Sequence, residues 1–228
     1  MKNKNIITNA FKDALTDYYY LLNKNYPEKE TLKLVGDRFR LTGPQRTVLF
    51  RGVTSKKNAS IRKSKRIPIE DLKEKKLYID GYNVLFTIMN YLLGKMVFIG
   101  NDGILRDSGG AYGKIEKEEI FYKAVNTHME FLQQQNIENV TIYMDQPVSN
   151  SRSHVMQIEK KMQEEKITGE ARLLQSVDNR LKQIKGGVIA TSDSQIIDHT
   201  PGKIIDLARS ALETTYGITI LDIGSLIE

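Results

Sequence analysis

Three short apolar runs in the carboxyl-terminal two-thirds of the chain each end in an aspartate, and this repetition constrains the fold more than any other feature. Leu77-Tyr-Ile leads into Asp80, Thr141-Ile-Tyr-Met into Asp145, and Val188-Ile-Ala-Thr-Ser into Asp193. Short apolar runs closed by turn chemistry read as buried strands. Helix-period stretches lie between them, which is the pattern of an α/β domain with a mainly parallel sheet. Parallel strands share their carboxyl edge, where such folds hold ligands, so the three aspartates converge on one rim. A fourth, Asp178, opens the short helix before the Asp193 strand and projects toward the same rim.

In more detail, residues 77–79 form the first strand, and Asn83 opens a helix running to about Gly94. Val97–Ile99 and Ile104–Leu105 form a small hairpin around Asn101-Asp-Gly103. Residues 115–135 make a long amphipathic helix, 140–144 a strand, 152–166 a helix and 172–174 a strand. A short helix starts near Val177, a strand spans 188–190, a helix lies near 207–214, and a last strand, 218–221, closes the chain.

The amino-terminal part is different. Ala10, Phe11, Ala14, Leu15, Tyr18, Leu21 and Leu22 recur at three- and four-residue steps, giving a helix with one apolar face. Pro27 begins a second helix, and Thr42-Gly43-Pro44 a third that ends at Gly52. Three helices in residues 1–55 make a marginal domain, so they are expected to pack on the larger part or on a second subunit. Residues 56–75 read as a basic linker, because residues 54–66 carry six positive charges and no acid. The α/β domain is then 76–228.

Charge follows the same division. Residues 1–66 hold 16 Lys and Arg against 5 Asp and Glu, and the remaining 162 residues hold 18 against 23. A basic part beside an acidic part suggests that one holds a polyanion and the other positions cations. Arg38, Arg40, Arg46 and Arg51 are the candidate phosphate clamps, with the run from Lys56 to Arg66, and Tyr18, Tyr19 and Tyr20 are candidates for stacking on bases. With no cysteine there is no disulfide framework, Cys-based zinc site or thiol nucleophile. No apolar run reaches the roughly 20 residues of a membrane span, and the start lacks signal-peptide features. The expected setting is cytoplasmic, without a membrane partner.

Clustered carboxylates raise one another's pKa unless a cation neutralises them. An all-oxygen set suits Mg²⁺ or Mn²⁺, which activate water and stabilise the leaving oxygen of a phosphodiester. A single aspartate after a strand is more often a helix cap. The repetition at several strand ends is what favours the metal reading. Glu116, Glu118 and Glu119 fit a helix dipole.

The segment Tyr78-Ile-Asp-Gly-Tyr-Asn-Val-Leu85 resembles the first strand of PIN-like nucleases, above all the NYN branch, where Asp-Gly-x-Asn opens the active site. Residues 190–198, Ala-Thr-Ser-Asp-Ser-Gln-Ile-Ile-Asp, are similar to the later Thr-x-Asp strand end of that superfamily. The resemblance spans residues 76–228 and is specific in its first and last motifs. The whole chain, including Leu34–Leu41 and Gln45–Gly52, also resembles a prokaryotic, archaeal-type family of domains of unknown function, in which a short helical domain precedes a PIN-like one. This resemblance implies a Rossmann-like three-layer fold and metal-dependent hydrolysis of phosphodiesters, most often endonucleolytic cleavage of RNA, with DNA as the lesser candidate and a homodimer as a common assembly. It makes Asp80, Asp178 and Asp193 the metal-binding acids and adds Asp145 to the catalytic set. Asn83, Ser192 and Ser194 become substrate-binding residues. Glu118 or Glu119 would supply the further helix acid of PIN domains, and Asp198 would supplement the set. Asp107 would lie in a mobile Gly-rich loop, residues 106–113, able to close over substrate.

Other chemistries fit less well. A haloacid-dehalogenase-type phosphatase needs an acid two residues after its nucleophile, where Tyr82 stands. A Ser-His-Asp hydrolase lacks its Gly-x-Ser-x-Gly elbow, and the loop with Asp107 lacks P-loop spacing. His128 falls inside a helix, and His154 and His199 lack ligand spacing. The main competitor is an RNA-binding adaptor whose PIN-like domain has lost its activity.

Overall fold

The computed structural model of the protein describes residues 6–109 and 115–227. Four helices come first: α1 (Asn9–Asn23), α2 (Glu28–Arg38), α3 (Gly43–Gly52) and α4 (Lys56–Lys65). They are followed by β1 (Lys76–Asp80), α5 (Gly81–Leu92), β2 (Val97–Ile99), β3 (Leu105–Asp107), α6 (Glu118–Gln133) and β4 (Asn139–Asp145). Next come α7 (Ser151–Glu164), β5 (Gly169–Leu174), α8 (Val177–Lys182), β6 (Val188–Ala190) and α9 (Ser194–His199). The chain ends with β7 (Lys203–Ile205), α10 (Leu207–Tyr216) and β8 (Leu221–Asp222). No helix among the described residues is long and apolar enough to cross a membrane.

Two compact units result, and their boundaries depart from the sequence reading. The smaller comprises Met1–Ser64, Leu93–Gly110 and Thr219–Glu228; the larger comprises Lys65–Leu92 and Ala111–Ile218. The smaller unit is therefore discontinuous, and the reason is its size. Helices α1 to α3 bury Phe11, Leu15, Tyr18, Val35, Val48 and Leu49, and the same core takes in Met96, Phe98 and Ile223 from distant chain segments. Three helices alone leave too much apolar surface uncovered, and the hairpin and carboxyl-terminal segment complete the burial. Gly52 serves this packing: a Cβ there would stand 2.9 Å from the Phe98 ring. The last strand, β8, lies outside the five-stranded sheet. It pairs parallel with β2, which pairs antiparallel with β3.

Residues 56–65 form helix α4 rather than a linker. Ser55 caps it by accepting the Asn58 N–H through its Oγ, and Ala59 and Arg62 turn inward. Arg62 donates to Asp102 Oδ2 at 3.0 Å, and Arg106 grips both carboxylate oxygens of Asp102 at 2.8 Å each. Burial alone would raise the Asp102 pKa, but the two guanidiniums outweigh it and hold the carboxyl at about 2. Composition signalled a solvated arm, and one buried ion cluster overrode it. Asn101 donates to Thr54 O and accepts from Thr54 N–H, fastening the hairpin to the end of α3. Tyr18 is wholly buried, so within the tyrosine triplet only Tyr20 is strongly exposed.

The larger unit is a five-stranded, all-parallel sheet in the order β5-β4-β1-β6-β7. Numbered within the sheet this is 3-2-1-4-5, the doubly wound, Rossmann-like layout, and the direction of winding reverses between β1 and β6. Alternation sets the faces of β1: Leu77 and Ile79 point one way, Tyr78 and Asp80 the other. The rings of Tyr78 and Tyr143 stack 6.3 Å apart, as expected for same-face residues on adjacent strands. β7 and α9, which the sequence reading passed over, complete the sheet's far side. Each is very short, and the apolar run of β7 is only Ile204-Ile205 after Pro201-Gly202.

Two stability predictions follow from these interiors. Asp102→Asn would leave Arg62 and Arg106 buried without their charge partner, a loss of about 3–5 kcal/mol. Urea denaturation should show it at pH 7, and the difference from wild type should vanish as pH falls from about 4 through the folded-state value near 2. His128 is wholly buried, and among the described residues neither ring nitrogen has a hydrogen-bond partner. Burial lowers its pKa to about 3, so below about pH 6.5 the unfolded chain binds one more proton and stability falls by about 1.4 kcal/mol per pH unit. His128→Leu should flatten that acid limb in calorimetry between pH 6.5 and 4.

Candidate acidic site at the sheet edge

No loop separates β1 from α5: the strand ends at Asp80 and the helix begins at Gly81. The Asp-Gly pair is therefore not an ordinary turn. Gly81 is required because a Cβ there would approach Tyr143 O at 2.8 Å, so the helix can start directly against the end of β4. This fixes Asp80 at the carboxyl end of the central strand, beside the point where the winding reverses.

Asp80 is 5% exposed. Thr191, just past β6, donates its hydroxyl to Asp80 Oδ2 at 2.8 Å and accepts the Asp193 N–H at 3.1 Å. Burial pushes the Asp80 carboxyl up to about 8; the Thr191 hydrogen bond opposes this, and the charges of Asp193, Asp145 and Asp178 add to it. Asp178 is raised by burial and by Asp193 and Asp145, with Lys182 opposing. Asp145, at the end of β4, is also raised by burial, and its Oδ1 accepts the Val177 N–H at the start of α8. The four aspartates thus stand at one edge, where Asp80 and Asp178 feel the charges of their neighbours. Asp193 is a helix cap as well, accepting the Gln195 N–H at 2.6 Å. Asp206 occupies the corresponding position after β7 and caps α10.

Asn83 does not touch Asp80. Its Oδ1 accepts from both the backbone N–H and the hydroxyl of Ser192, at 2.8 and 3.0 Å, tying α5 to the 191–193 segment. Ser192 is buried and Ser194, at the first turn of α9, is half-buried. Asp198 is exposed on α9.

The remaining predicted site residues are engaged elsewhere. Asp107 belongs to β3 in the smaller unit, where it pairs with Arg51 at 3.2 Å and accepts the Gly109 N–H, so it is a fixed structural partner rather than part of a lid. Residues 110–114 of that glycine-rich stretch lie outside the described residues. Arg46 binds Leu41 O and Asp37, and Arg38 pairs with Asp17. Arg38, Arg46 and Arg51 therefore spend their charge within the smaller unit, which weakens their reading as phosphate clamps. Glu119 is exposed.

Glu118 has a different role from the one expected. Its carboxylate meets His154 Nε2 at 3.1 Å, and His154 Nδ1 meets the Tyr82 hydroxyl at 2.8 Å. His154 is wholly buried between them. The Tyr82 pKa is raised by burial and by Asp145 and Glu118. Sequence reasoning set His154 aside, although Ser151, His154, Ile158 and Met162 share one face of α7. That spacing was the available signal.

Among the described residues, no group of three acidic or imidazole side chains stands at metal-ligating spacing. The donor set nevertheless fits a hard, hydrated cation. Mg²⁺ keeps several waters and binds through one or two carboxylates, and a buried carboxylate facing three others is what a cation relieves. Asp80, Asp178 and Asp193 are the residues that would hold it. Asp80→Asn removes the buried charge while keeping an acceptor for Thr191. In EDTA at pH 8 its melting temperature should therefore exceed that of wild type, and a decrease would show that the repulsion is compensated.

Residues 69–210 match the family model described as a domain of unknown function, DUF5616, and residues 10–65 match that of a protein of unknown function, DUF434. An uncharacterized protein of Methanocaldococcus jannaschii is 34% identical over 205 residues, covering 90% of this chain and 97% of that protein. No solved structure matches the chain. All four aspartates fall within the first match, and helices α1 to α4 coincide with the second. The chain therefore belongs to the DUF5616 family, with a DUF434 segment joined at its amino-terminal side.

Proposed function

We propose that the larger unit is a PIN-like, metal-dependent nuclease that hydrolyses phosphodiester bonds of RNA. One observation carries this reading: Asp80 is buried at the sheet's switch point, and Asp145, Asp178 and Asp193 each raise its pKa. Like charges gathered in a low-dielectric site destabilise a fold, and such an arrangement persists when a cation is part of the working molecule. The Asp-Gly-x-Asn and Thr-x-Asp motifs support the same reading.

In this mechanism Asp80, Asp178 and Asp193 would hold one or two Mg²⁺ or Mn²⁺ ions. The bound metal supplies charge stabilisation for the phosphoryl oxygens and activation of water. Thr191 keeps Asp80 in one rotamer and, through the Asp193 N–H, couples it to the start of α9. Asp145, half-buried and raised in pKa, accepts the proton that the attacking water loses. The water oxygen bonds to phosphorus as the bond to the leaving sugar oxygen breaks, and that oxygen takes a proton from solvent. Asn83 uses its carbonyl on Ser192, and its Nδ2 has no protein acceptor among the described residues, leaving it to donate to a phosphate oxygen.

The competing reading is an RNA-binding adaptor without activity. Incubating RNA with the protein in Mg²⁺ or Mn²⁺ separates the two. Wild type should cut, EDTA should stop it, and Asp80→Asn should lose at least about a hundredfold in rate. Metal at a hundred times its Kd should also stabilise wild type by about 2.7 kcal/mol, and Asp80→Asn much less. Cleavage that survives both Asp80→Asn and EDTA would end the proposal.

A further inference from the structure

The opposite edge of the same sheet carries a feature that the acidic site does not use. A cavity of about 750 Å³ opens there, lined by Lys75, Lys76, Arg180, Lys185, Lys203 and the ring of Tyr78. Lys76 and Lys203 are the first residues of β1 and β7, so the cavity belongs to the amino edge, at the other end of the strands from Asp80 and Asp145. Its one acid, Glu138, is paired with Lys76 at 3.8 Å. The volume is that of a small-molecule site, commonly about 300–1,000 Å³, and the wall is cationic on several sides.

The local backbone is shaped for the same end. Gly187 has φ +88, and a Cβ there would stand 2.8 Å from the Tyr78 ring and 2.6 Å from Lys76 O. Glycine is thus needed for the 185–187 turn to close against the tyrosine. Nothing stands within 4 Å of a Cβ built on Gly186, so this side of the turn is open. Among the described residues, the backbone N–H groups of Lys185 and Gly186 have no acceptor, which leaves two donors beside the lysines. Arg180 is fixed rather than loose: it lies over the Tyr143 ring at 6.0 Å and donates Nε–H to the Tyr143 hydroxyl at 3.3 Å.

We infer that this cavity is a nucleotide-phosphate site, in which the lysines and turn amides take the phosphate oxygens and Tyr78 gives the base or sugar an aromatic wall. Cations beside backbone amide donors suit phosphate, and the half-buried Tyr78 ring offers the cavity an aromatic surface that any base can stack on. Helix α8 connects the two sites, with Asp178 in its first turn and the 183–187 segment beyond its last. Its six residues span only about 9 Å. A strand of several nucleotides can therefore be held at the basic edge and reach the acidic one. This extension to a strand rests on the nuclease reading; the phosphate site itself does not.

The test uses the full chain in EDTA, which withholds the metal that cleavage would require. A fluorescent single-stranded oligoribonucleotide and adenosine monophosphate are titrated against wild type and against Lys185→Gln/Lys203→Gln. The double variant should bind about tenfold more weakly, and its salt slope for the oligonucleotide should fall by about 1.4, two contacts at roughly 0.7 each. Weakened binding of both probes identifies a site for a single nucleotide; weakened binding of the oligonucleotide alone, with no binding of the monophosphate, identifies a site for strand phosphates. Wild type that binds neither probe overturns the inference. So does a double variant with an unchanged melting temperature, affinity and salt slope. If that variant melts early, Lys75→Gln/Lys185→Gln replaces it under the same criteria. Wild type that binds the probes in EDTA but cuts no RNA in Mg²⁺ or Mn²⁺ ends the nuclease reading alone, and wild type that cuts RNA but binds neither probe ends this inference alone.

Discussion

The larger unit depends on one strand. β1 is hydrogen-bonded to β4 on one side and β6 on the other, so its backbone is satisfied by the sheet and Leu77 and Ile79 are wholly buried. A strand so enclosed cannot shift register without exposing its apolar residues. The carboxylate at its end is therefore held as firmly as the core itself. Gly81 removes the remaining freedom by letting α5 begin at once. Asp80 cannot turn to solvent, and the Thr191 hydroxyl becomes its compensation.

Around that fixed point the other acids arrive by different routes. Asp145 sits at the end of a neighbouring strand, Asp178 in a helix's first turn, and Asp193 as the cap of α9. Capping and clustering are compatible for Asp193, because a carboxylate that accepts a backbone N–H at a helix start is stabilised there while the strand order directs it to the same rim. The charge that this edge accumulates contrasts with the cationic amino edge. Parallel strands separate the two, as they separate the two ends of every residue row in the sheet.

The smaller unit shows how a shortage of core shapes connectivity. Its helices take Phe98 from a hairpin inserted after α5 and Ile223 from the end of the chain. Charge is consumed in the process: Arg62 and Arg106 on Asp102, Arg51 on Asp107, Arg46 on Asp37. A basic composition is therefore not the same as a basic surface. The net charge of residues 1–66 overstates what is available to a polyanion.

The local elements follow from the order of the residues alone. The apolar period of α1, the helix start at Thr42-Gly43-Pro44, the strands around Tyr78 and Ile142, and the strand-end positions of Asp80 and Asp145 were legible, because near-neighbour sterics and alternation fix them. Helix α4 was not, since a lysine-rich segment reads as solvated until a buried partner such as Asp102 is known. Nor was the Tyr82–His154–Glu118 chain, whose members lie far apart in sequence and acquire meaning only when α5, α6 and α7 pack. The discontinuous smaller unit and the pairing of β8 with β2 were likewise decided by tertiary structure. Which apolar segment completes a core depends on area and shape at a distance, and pattern within a short window carries no record of either.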